Sequence, residues 1–416
     1  MKNIIFHIDI NSAFLSWEAV KQLKNGSRVD IRNIPSAIGG DREKRMGVIL
    51  AKSIPAKRCG IKTGEPIAMA LQKCPELVVF KPDFLLYESS SNAFMNICRQ
   101  YSPVVEKYSI DECFVDMSGT DRIYPDIIKI ANEIKDRIRD ELGFTANIGI
   151  SDTKILAKMA SDFEKPDKVH TLFSSEIEEK MWHLPIGSLF SIGGSTAEKL
   201  RSVGIDTIGA LAKLELRSVQ ALVGDKRGIQ IHRYANGIDD SFVSDVPEEA
   251  KGYSISVTLE KDVTSEEEAE GVLLALADSV AARMRADKVQ AYSVGVTIRY
   301  TNFKDRSHQK TLDIPTDITS EIFMVAKKLL LEFWDANTPI RLIGIALTNV
   351  VRENELQVSA LDNSVQKERA RKLDKTIDSI RSQYGRSKIV RGVSYNSSLR
   401  VGKKYAAQIE NKEKNK

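Results

Sequence analysis

The chain has 416 residues, of which 42% are hydrophobic and 28% are charged, with a formal net charge of +4. This composition predicts an ordinary soluble protein with enough mass for several domains. No apolar run reaches the roughly 18 residues that a membrane-spanning helix needs, and the N-terminus begins with a strand-like segment instead of a signal peptide. We therefore expect no membrane contact.

The cysteines and the C-terminal charge narrow the class of protein further. The four cysteines share no C-x-x-C spacing and the five histidines form no cluster, so the sequence predicts no zinc site and a reduced, cytoplasmic setting. Residues 353–416 hold 15 lysines and arginines against 8 acidic residues. This basic tail is compatible with nucleic acid binding and equally with a solvated, poorly ordered segment.

The first 170 residues alternate between strand-like and helix-like patterns. These patterns cover residues 2–10, 14–23, 47–51, 68–73, 87–101, 127–142, 144–150 and 151–163. Two further strand-like runs flank Asp111 and Glu112 and predict a hairpin. The alternation indicates one α+β domain with a sheet at its centre.

The pattern of predicted elements changes after residue 184. Short helices broken by glycine follow, and residues 242–250 have the composition of a linker. Over 251–352 the order is strand, helix, strand, strand, helix, strand, and this βαββαβ order predicts a second, ferredoxin-like folding unit.

Three carboxylates at predicted strand ends are the candidate chemical groups. Asp9 lies inside the apolar strand IIFHIDI, and Asp111 and Glu112 are adjacent in YSIDEC. By itself the adjacent pair is more typical of a polar hairpin turn. An acid inside an apolar strand, however, is costly without a cation, and Mg²⁺ prefers oxygen ligands. The three residues together therefore favour a Mg²⁺ site, where two ions could catalyse phosphoryl transfer.

Four longer segments occur in a characteristic order: HIDINSAF, AKSIPAKRCGIKTGEP, YSIDECFVD and GISDTKILAKMASDFEKP. With these segments the chain resembles the Y-family, or translesion, DNA polymerases of the DinB/UmuC type over about residues 1–400. The resemblance implies an α+β multidomain, right-hand polymerase. Its parts would be a palm (1–10 and 80–170), fingers (11–79), a helix-hairpin-helix thumb (171–241), a linker (242–250), a ferredoxin-like little finger (251–352) and the basic tail (353–416).

The resemblance also implies which residues carry out the reaction. Asp9, Asp111 and Glu112 would be the catalytic carboxylates and would hold two Mg²⁺ ions, for which Mn²⁺ could substitute. The backbone carbonyl of Ile10 would be a further metal ligand. The ring of Phe14 would clash with a ribose 2′-hydroxyl and so select deoxynucleotides, although the same ring suits a helix core.

Ser53, Lys57 and Lys165 match positions that contact the incoming triphosphate in this family. The fingers motif departs from the family pattern, because Ser53-Ile-Pro-Ala-Lys57 stands where Ser-Tyr-Glu-Ala-Arg is frequent. A lysine is a point charge that cannot grip a phosphate in two places as arginine does, so the geometry of the bound triphosphate is expected to differ.

Two groups of residues are candidates for DNA contacts. The backbone of the Ile192-Gly193-Gly194 turn would bind a phosphate at a helix N-terminus, although such glycines also punctuate ordinary helices. Basic residues of the βαββαβ unit suit backbone phosphates and equally a solvated sheet face: Arg299, Lys304, Arg306 and Lys310.

The basic tail contains one candidate partner-binding peptide. Residues 355–361 resemble the sliding-clamp peptide usually written Gln-Leu-Ser/Asp-Leu-Phe. Gln357 and Ser359 match it, whereas Val358 and Leu361 are smaller apolar substitutes that would fill a pocket less completely.

These features together predict a low-fidelity, template-directed DNA polymerase for translesion synthesis, with primer-template DNA and dNTPs as substrates. We expect a monomer without proofreading, because the sequence shows no separate exonuclease-like acidic cluster. Two alternatives remain from other classes: a DNA-binding accessory protein without catalysis, and a palm-type nucleotidyl cyclase.

Overall fold

The computed structural model describes residues 3–40, 47–246, 249–335, 338–352, 365–385, 388–389 and 391. The chain forms two compact units, one of residues 1–39 and 49–247 and one of residues 40–48 and 248–416. Each unit has a hydrophobic core of its own. Within the described ranges, every helix is too short or too polar to cross a membrane.

The first unit contains the following elements in its described part. Its strands are β1 (Ile5–Ile10), β2 (Ser36–Gly39), β3 (Ile49–Lys52), β4 (Val78–Phe80), β5 (Val105–Lys107), β6 (Glu112–Asp116), β7 (Ala146–Ser151) and β8 (Val169–Thr171). Its α-helices are α1 (Ala13–Lys24), α2 (Ile54–Arg58), α3 (Ile67–Lys73), α4 (Phe84–Cys98), α5 (Ile127–Arg137), α6 (Lys154–Ser161), α7 (Ile177–Lys180), α8 (Gly194–Arg201), α9 (Ile208–Ala212), α10 (Leu216–Val223) and α11 (Asp225–Ala235).

A five-stranded sheet forms the centre of this unit, with the strand order β5-β6-β1-β7-β8. Strand β1 is antiparallel to both of its neighbours, β6 and β7. The hairpin predicted around Asp111 is present, since β5 pairs antiparallel with β6. Directly opposite residues share a face in such pairs, so Glu112, Asp9 and Asn147 form one row across three strands.

Different helices pack on the two faces of this sheet. Phe6, Ile8 and Ile10 alternate onto the face that packs with helices α1, α4 and α5 in the main core. Helix α6 packs on the opposite face, which carries the Glu112–Asp9–Asn147 row. It approaches closely because Gly149 has no side chain: a Cβ there would lie 2.0 Å from the carbonyl oxygen of Ala157.

The helix predicted over 127–142 is confirmed, with a change of geometry near its end. Helix α5 continues into a π-helical turn at Ile138–Leu142, and Gly143 ends it at a φ of 83°, in the left-handed region. Ile134 and Ile138 from the predicted apolar stripe are fully buried. The four-residue spacing therefore identified the buried face correctly.

A second sheet has three strands in the order β3-β2-β4, and its strand β3 overlaps the strand-like run predicted at 47–51. Strands β2 and β4 were missed because they span only four and three residues. This sheet and helices α2 and α3 surround a small core of their own. Helices α8 to α11 share a further core with residues of α6 and α7.

The second unit confirms the βαββαβ prediction. Its elements are β9 (Gly252–Val263), α12 (Glu266–Ala286), β10 (Val289–Tyr300), β11 (Asp305–Thr316), α13 (Thr319–Phe333) and β12 (Ile340–Arg352). The four strands form one antiparallel sheet in the order β11-β10-β12-β9, so β11 is an edge strand. Helices α12 and α13 contribute to the core on one side of it.

One further helix, α14 (Val365–Tyr384), lies in the segment predicted as a basic tail. Ion pairs that are largely buried attach this helix to the rest of the second unit. Asp374, only 2% exposed, accepts a hydrogen bond of 2.8 Å from the backbone N–H of Thr319 and pairs with Arg285 at 3.3 Å. Arg381 pairs with Asp278 on α12 at 2.7 Å. Part of the predicted tail is thus a helix whose charged side chains form ion pairs within the second unit.

Candidate active site

The three predicted carboxylates meet at one end of the five-stranded sheet. Asp9 on β1 lies directly opposite Glu112 on β6. Asp111, the last residue of the hairpin turn, accepts a backbone hydrogen bond of 3.0 Å from the N–H of Ile10. Strand pairing therefore fixes all three backbones beside each other, which the sequence could suggest only through the strand ends.

Asp9 is a partly buried acid with one strong cationic partner. Its Oδ2 lies 2.7 Å from Nζ of Lys165, which also contacts Asp162 at 2.7 Å. Burial raises the pKa of Asp9 to about 6; Lys165 opposes this effect, and the neighbouring Glu112 adds to it. Negative charge is thus costly at this position, and a cation would be favoured there.

Glu112 has the opposite electrostatic balance. Burial opposes its ionisation, but nearby His7 and a hydrogen bond from Lys158 outweigh burial and lower the pKa of Glu112 to about 2. Nζ of Lys158 donates to Oε2 at 2.8 Å, and Nε2 of His7 lies 3.8 Å from the same oxygen. Glu112 is therefore an ionised carboxylate held in place from the α6 side.

Lys158 and the environment of His7 were not identified from the sequence. Lys158 lies 5.0 and 5.4 Å from the ring centres of Tyr108 and Phe190, which restrict its position. His7 is fully buried, and its Nδ1 contacts the hydroxyl of Ser161 at 2.7 Å. The motif containing Lys158 was visible, but only the close approach of α6 connects it to Glu112.

The loop that carries Lys165 is tied to the sheet by two asparagines. Asn147 donates to the carbonyl of Glu164 at 2.7 Å, and Asn11 accepts from the N–H of Asp167 at 3.0 Å. Because Asn147 is in the same row as Asp9, this network positions Lys165 over the carboxylates.

The donor set fits hard divalent cations. Three carboxylates meet at a partly open sheet end, and in this structure lysines neutralise two of them while Ser109 donates to Asp111 at 2.6 Å. Oxygen donors with excess negative charge are the ligands that Mg²⁺ and Mn²⁺ prefer. The side chain of Ile10 is buried in the core, which leaves only its backbone to face the site.

Phe14 lies in the first turn of α1 within an aromatic cluster. Its ring stacks on Tyr87 with a centroid distance of 4.4 Å and an interplanar angle of 9°, and Trp17 and Phe84 flank it at 5.9 and 6.4 Å. The ring is therefore held rigidly near the end of β1. Tyr87, which supports it, was not identified from the sequence.

Comparisons with known proteins agree with this geometry. Residues 8–162 match the impB/mucB/samB family, residues 250–360 match the C-terminal domain of that family, and residues 187–239 match the thumb domain of DNA polymerase-iota. Over 393 residues the chain is 44% identical to a DNA polymerase IV of Clostridium acetobutylicum, covering 94% of this chain and 98% of the relative. It is also 36% identical over 397 residues to DNA polymerase IV 1 of Bacillus subtilis, covering 94% of this chain and 93% of the relative.

The chain is a Y-family DNA polymerase of the DinB type. A Y-family polymerase chimera of Dbh and Dpo4 has the same fold, with a TM-score of 0.71 and 21% identity over 84% of this chain and all of the other. Palm, fingers, thumb and little finger are thus the parts of this polymerase, and its chemistry depends on divalent metal ions as in the family generally.

In the fingers, the hydroxyl group of Ser53 has a structural role. The hydroxyl donates to the carbonyl of Ile34 at 2.7 Å and accepts from the N–H groups of Ser36 and Ala56, each at 3.1 Å. One donor and two acceptor positions are then all used. The expected triphosphate contact of Ser53 is therefore not supported; its hydroxyl caps α2 instead. Lys57 is exposed on α2 and close enough to Lys52 to help burial lower the pKa of that lysine.

The thumb turn Ile192-Gly193-Gly194 divides into a buried and an open part. Ile192 is buried, and its N–H donates within the turn to Leu189 at 3.0 Å. Gly193 and Gly194 begin helix α8, and a Cβ at either would meet nothing within 4 Å. The open space at this turn therefore lies at the glycines and not at Ile192.

The basic residues predicted to bind DNA in the little finger do not form one surface. Arg306 and Lys310 on β11 lie opposite the buried Ile298 and Val294, so they point to the helix-covered side, whereas Arg299 is on the other face. Arg299 is also paired with Asp305 at 2.6 Å. Strand alternation separates residues that are close in sequence. Lys304 is exposed in the turn between the strands.

The predicted clamp-binding residues Gln357, Val358, Ser359 and Leu361 lie outside the described residues.

Proposed function

We propose that this polymerase copies template DNA across damaged bases, adding dNTPs to a primer without proofreading. The observation that supports this function best is the row of carboxylates: Asp9 and Glu112 are directly opposed, and Asp111 is bonded to the backbone of Ile10. A nucleotidyl transfer centre needs anions concentrated at one rigid point, and sheet pairing provides that rigidity.

Asp9, Asp111, Glu112 and the carbonyl of Ile10 would hold the divalent ions, which we propose are two Mg²⁺ ions that Mn²⁺ can replace. When bound, these ions lower the pKa of the primer 3′-hydroxyl and stabilise the charge on the α-phosphate and the leaving pyrophosphate. Side chains of the protein orient these metal ligands. Lys158 and His7 keep Glu112 ionised and oriented, so this ligand needs no rearrangement.

In this proposal Lys165 would also bind the incoming triphosphate. It pairs with Asp9 in the structure, and a triphosphate would offer it a stronger, multiply charged partner. Binding of a dNTP would therefore draw Lys165 from Asp9 and free that carboxylate for metal. Lys57 would contact the triphosphate from α2 as a single point charge.

Phe14 would exclude ribonucleotides. A sugar gate works only if its ring cannot move away from a 2′-hydroxyl, and the stacked Tyr87 ring restricts that movement. This stacked arrangement supports selection of deoxynucleotides by a steric clash.

DNA would be held by the thumb and the little finger. We propose the boundaries 1–10 and 80–170 for the palm, 11–79 for the fingers, 171–241 for the thumb and 251–352 for the little finger. The glycine N–H groups at the start of α8 suit a phosphate. The uncovered face of the little-finger sheet presents small residues at Ser254, Ser256, Gly344 and Ala346, which would allow a close backbone approach. A monomeric state and a sliding-clamp contact stay predictions.

The two alternative functions are less compatible with the chain. A DNA-binding protein without catalysis would have no use for a partly buried Asp9 whose pKa is raised to about 6. A nucleotidyl cyclase would need neither the thumb helices nor a βαββαβ unit.

The test is extension of a labelled primer on undamaged and abasic-site templates with Mg²⁺ and all four dNTPs, without a partner protein. We expect short products that continue past the lesion. Asp111→Asn should abolish extension and keep DNA binding, whereas Asp116→Asn, at the other end of β6, should retain activity. Full extension by Asp111→Asn, or its failure to fold, would return Asp111 to the role of a turn residue.

A further inference from the structure

Two cysteines and a glutamate of the fingers meet on the small sheet, away from the carboxylate row. Cys59 follows helix α2, Cys74 follows helix α3, and Glu76 is in the turn after Cys74. The two Sγ atoms and a carboxylate oxygen of Glu76 all lie within 4.8 Å of one another. Among the described residues, this is the one group of three or more such side chains with that spacing.

We propose that Cys59, Cys74 and Glu76 form a second metal site in this polymerase, specific for a thiophilic divalent cation such as Zn²⁺. The site is independent of the catalytic ions in position and in chemistry. Two thiolates and a carboxylate select a softer cation than Mg²⁺, because sulfur ligands favour zinc whereas oxygen ligands alone favour magnesium.

The distances suit zinc with small side-chain adjustments. Zinc binds thiolate sulfur at about 2.3 Å and carboxylate oxygen at about 2.0–2.2 Å, so two ligand atoms of one tetrahedral ion lie about 3.5–3.8 Å apart. The three atoms here lie within 4.8 Å of one another, so small side-chain movements would bring them to that spacing. The cation replaces the two thiol protons, which pass to solvent. Three protein ligands leave the fourth position to water, and that position is accessible because Glu76 is exposed and Cys59 is half-buried.

The backbone holds these ligands in place before any metal arrives. The N–H of Cys59 donates to Pro55 at 3.3 Å, and that of Cys74 donates to Ala70 at 3.0 Å, so each cysteine is fixed to the end of its helix. The N–H of Leu77 closes the Cys74-Pro75-Glu76 turn on the carbonyl of Cys74 at 3.0 Å. Proline inside that turn restricts the backbone between two ligands.

The other cysteine pair of the chain shows what such a contact looks like without a third ligand. Cys98 and Cys113 are completely buried in the palm core. They interact with each other there, where a hydrated ion has no access. This pair is a packing contact and provides an internal control.

A bound cation would connect the ends of α2 and α3. Lys57, the proposed triphosphate contact, is two residues before Cys59 on α2. Occupancy would therefore stabilise the short helix that carries this lysine, which the cap by Ser53 secures only at its N-terminal end.

The experiment uses the full-length, reduced protein with Mg²⁺ in excess to occupy the carboxylate site. Co²⁺ is titrated as a spectroscopic probe, and Zn²⁺ binding is measured by competition with a chromogenic chelator. We expect one equivalent of Zn²⁺ and the charge-transfer band of Co²⁺ bound to thiolate. Cys59→Ser and Cys74→Ser should lose this band, and Glu76→Gln should weaken Zn²⁺ binding, while Cys98→Ser should keep both signals.

Glu76→Gln is decisive if Cys74→Ser fails to fold, because Glu76 is exposed and outside the core. The proposal is overturned if the wild-type chain binds no Zn²⁺, or if all three variants bind it as the wild type does. It is also overturned if the pair takes up no metal and mass spectrometry finds a Cys59–Cys74 disulfide after mild oxidation, since the cysteines would then be a redox pair.

Discussion

Glu112 is kept ionised by side chains that come from two other elements of the palm. Lys158 on α6 donates to it at 2.8 Å, and both groups are largely removed from solvent. Removal of the lysine would leave a carboxylate with a buried charge and a less defined orientation. Partners that orient metal ligands typically change metal affinity or activity by about 10- to 100-fold.

We therefore predict that Lys158→Met slows primer extension by about 10- to 100-fold and raises the Mg²⁺ concentration needed for half-maximal rate. The measurement is the extension rate as a function of Mg²⁺. Lys154→Met is the matched control, because Lys154 is on the same helix but pairs with Glu106 at 2.6 Å. Equal losses in both variants would mean that α6 is merely destabilised.

A second residue-scale prediction concerns the aromatic gate. Phe14→Ala should allow ribonucleotide incorporation and retain most dNTP incorporation, because the ring would no longer occupy the space of a 2′-hydroxyl. Phe84→Ala is the control, since Phe84 belongs to the same cluster but lies 6.4 Å from Phe14 and is 44% exposed. Rates with single rNTPs and dNTPs measure the effect. Unchanged sugar selectivity in Phe14→Ala would assign the gate elsewhere.

At the scale of residues, the sequence predicted groups that carry a local signal. Asp9 stood out as an acid in an apolar strand, and Asp111 and Glu112 as adjacent acids between two strand-like runs. Lys158 and Tyr87 carry no such signal, because a lysine or tyrosine on a helix is ordinary until folding places it against a site 46 or 73 residues away in the chain. The Cys59–Cys74 contact was missed for the same reason.

At the scale of elements, local signals predicted α12 better than α14. Helix α12 begins after Ser265, whose side chain accepts from the N–H of Glu268, and three glutamates occupy its first turn. It is the first helix of the βαββαβ order that the sequence predicted over 251–352. Helix α14 buries few apolar side chains and attaches through Asp374 and Arg381, so its charges were equally compatible with a nucleic-acid-binding segment and a solvated tail.

The docking of α14 gives a prediction for this element. Asp374→Asn should weaken its attachment by about 3 kcal/mol, because Arg285 and Arg391 would each lose a charged partner in a buried place. Limited proteolysis of α14 should accelerate accordingly. Glu368→Gln on the same helix breaks a solvent-exposed pair with Lys372 and should have almost no effect. Unchanged proteolysis in Asp374→Asn would show that apolar contacts suffice to hold the helix.

At the scale of the whole molecule, the chain divides into two units, each with a hydrophobic core of its own. The catalytic carboxylates, the thumb and most of the fingers belong to the first unit, whereas the second unit contains the βαββαβ elements with their own core and helix α14. Y-family polymerases combine these parts, and the sequence indicated the division through the linker at 242–250. A core that no other unit completes should unfold by itself.

We accordingly predict two unfolding transitions in the absence of DNA. Leu330→Ala in the core of the second unit and Ile134→Ala in the palm core each remove a fully buried side chain, at a cost of about 2–5 kcal/mol. Each should lower the midpoint of one transition by several degrees in calorimetry and leave the other unchanged. Ile128→Ala, on the exposed side of α5, should move neither. If both core variants shifted one common transition, the two units would have to unfold cooperatively despite their separate cores.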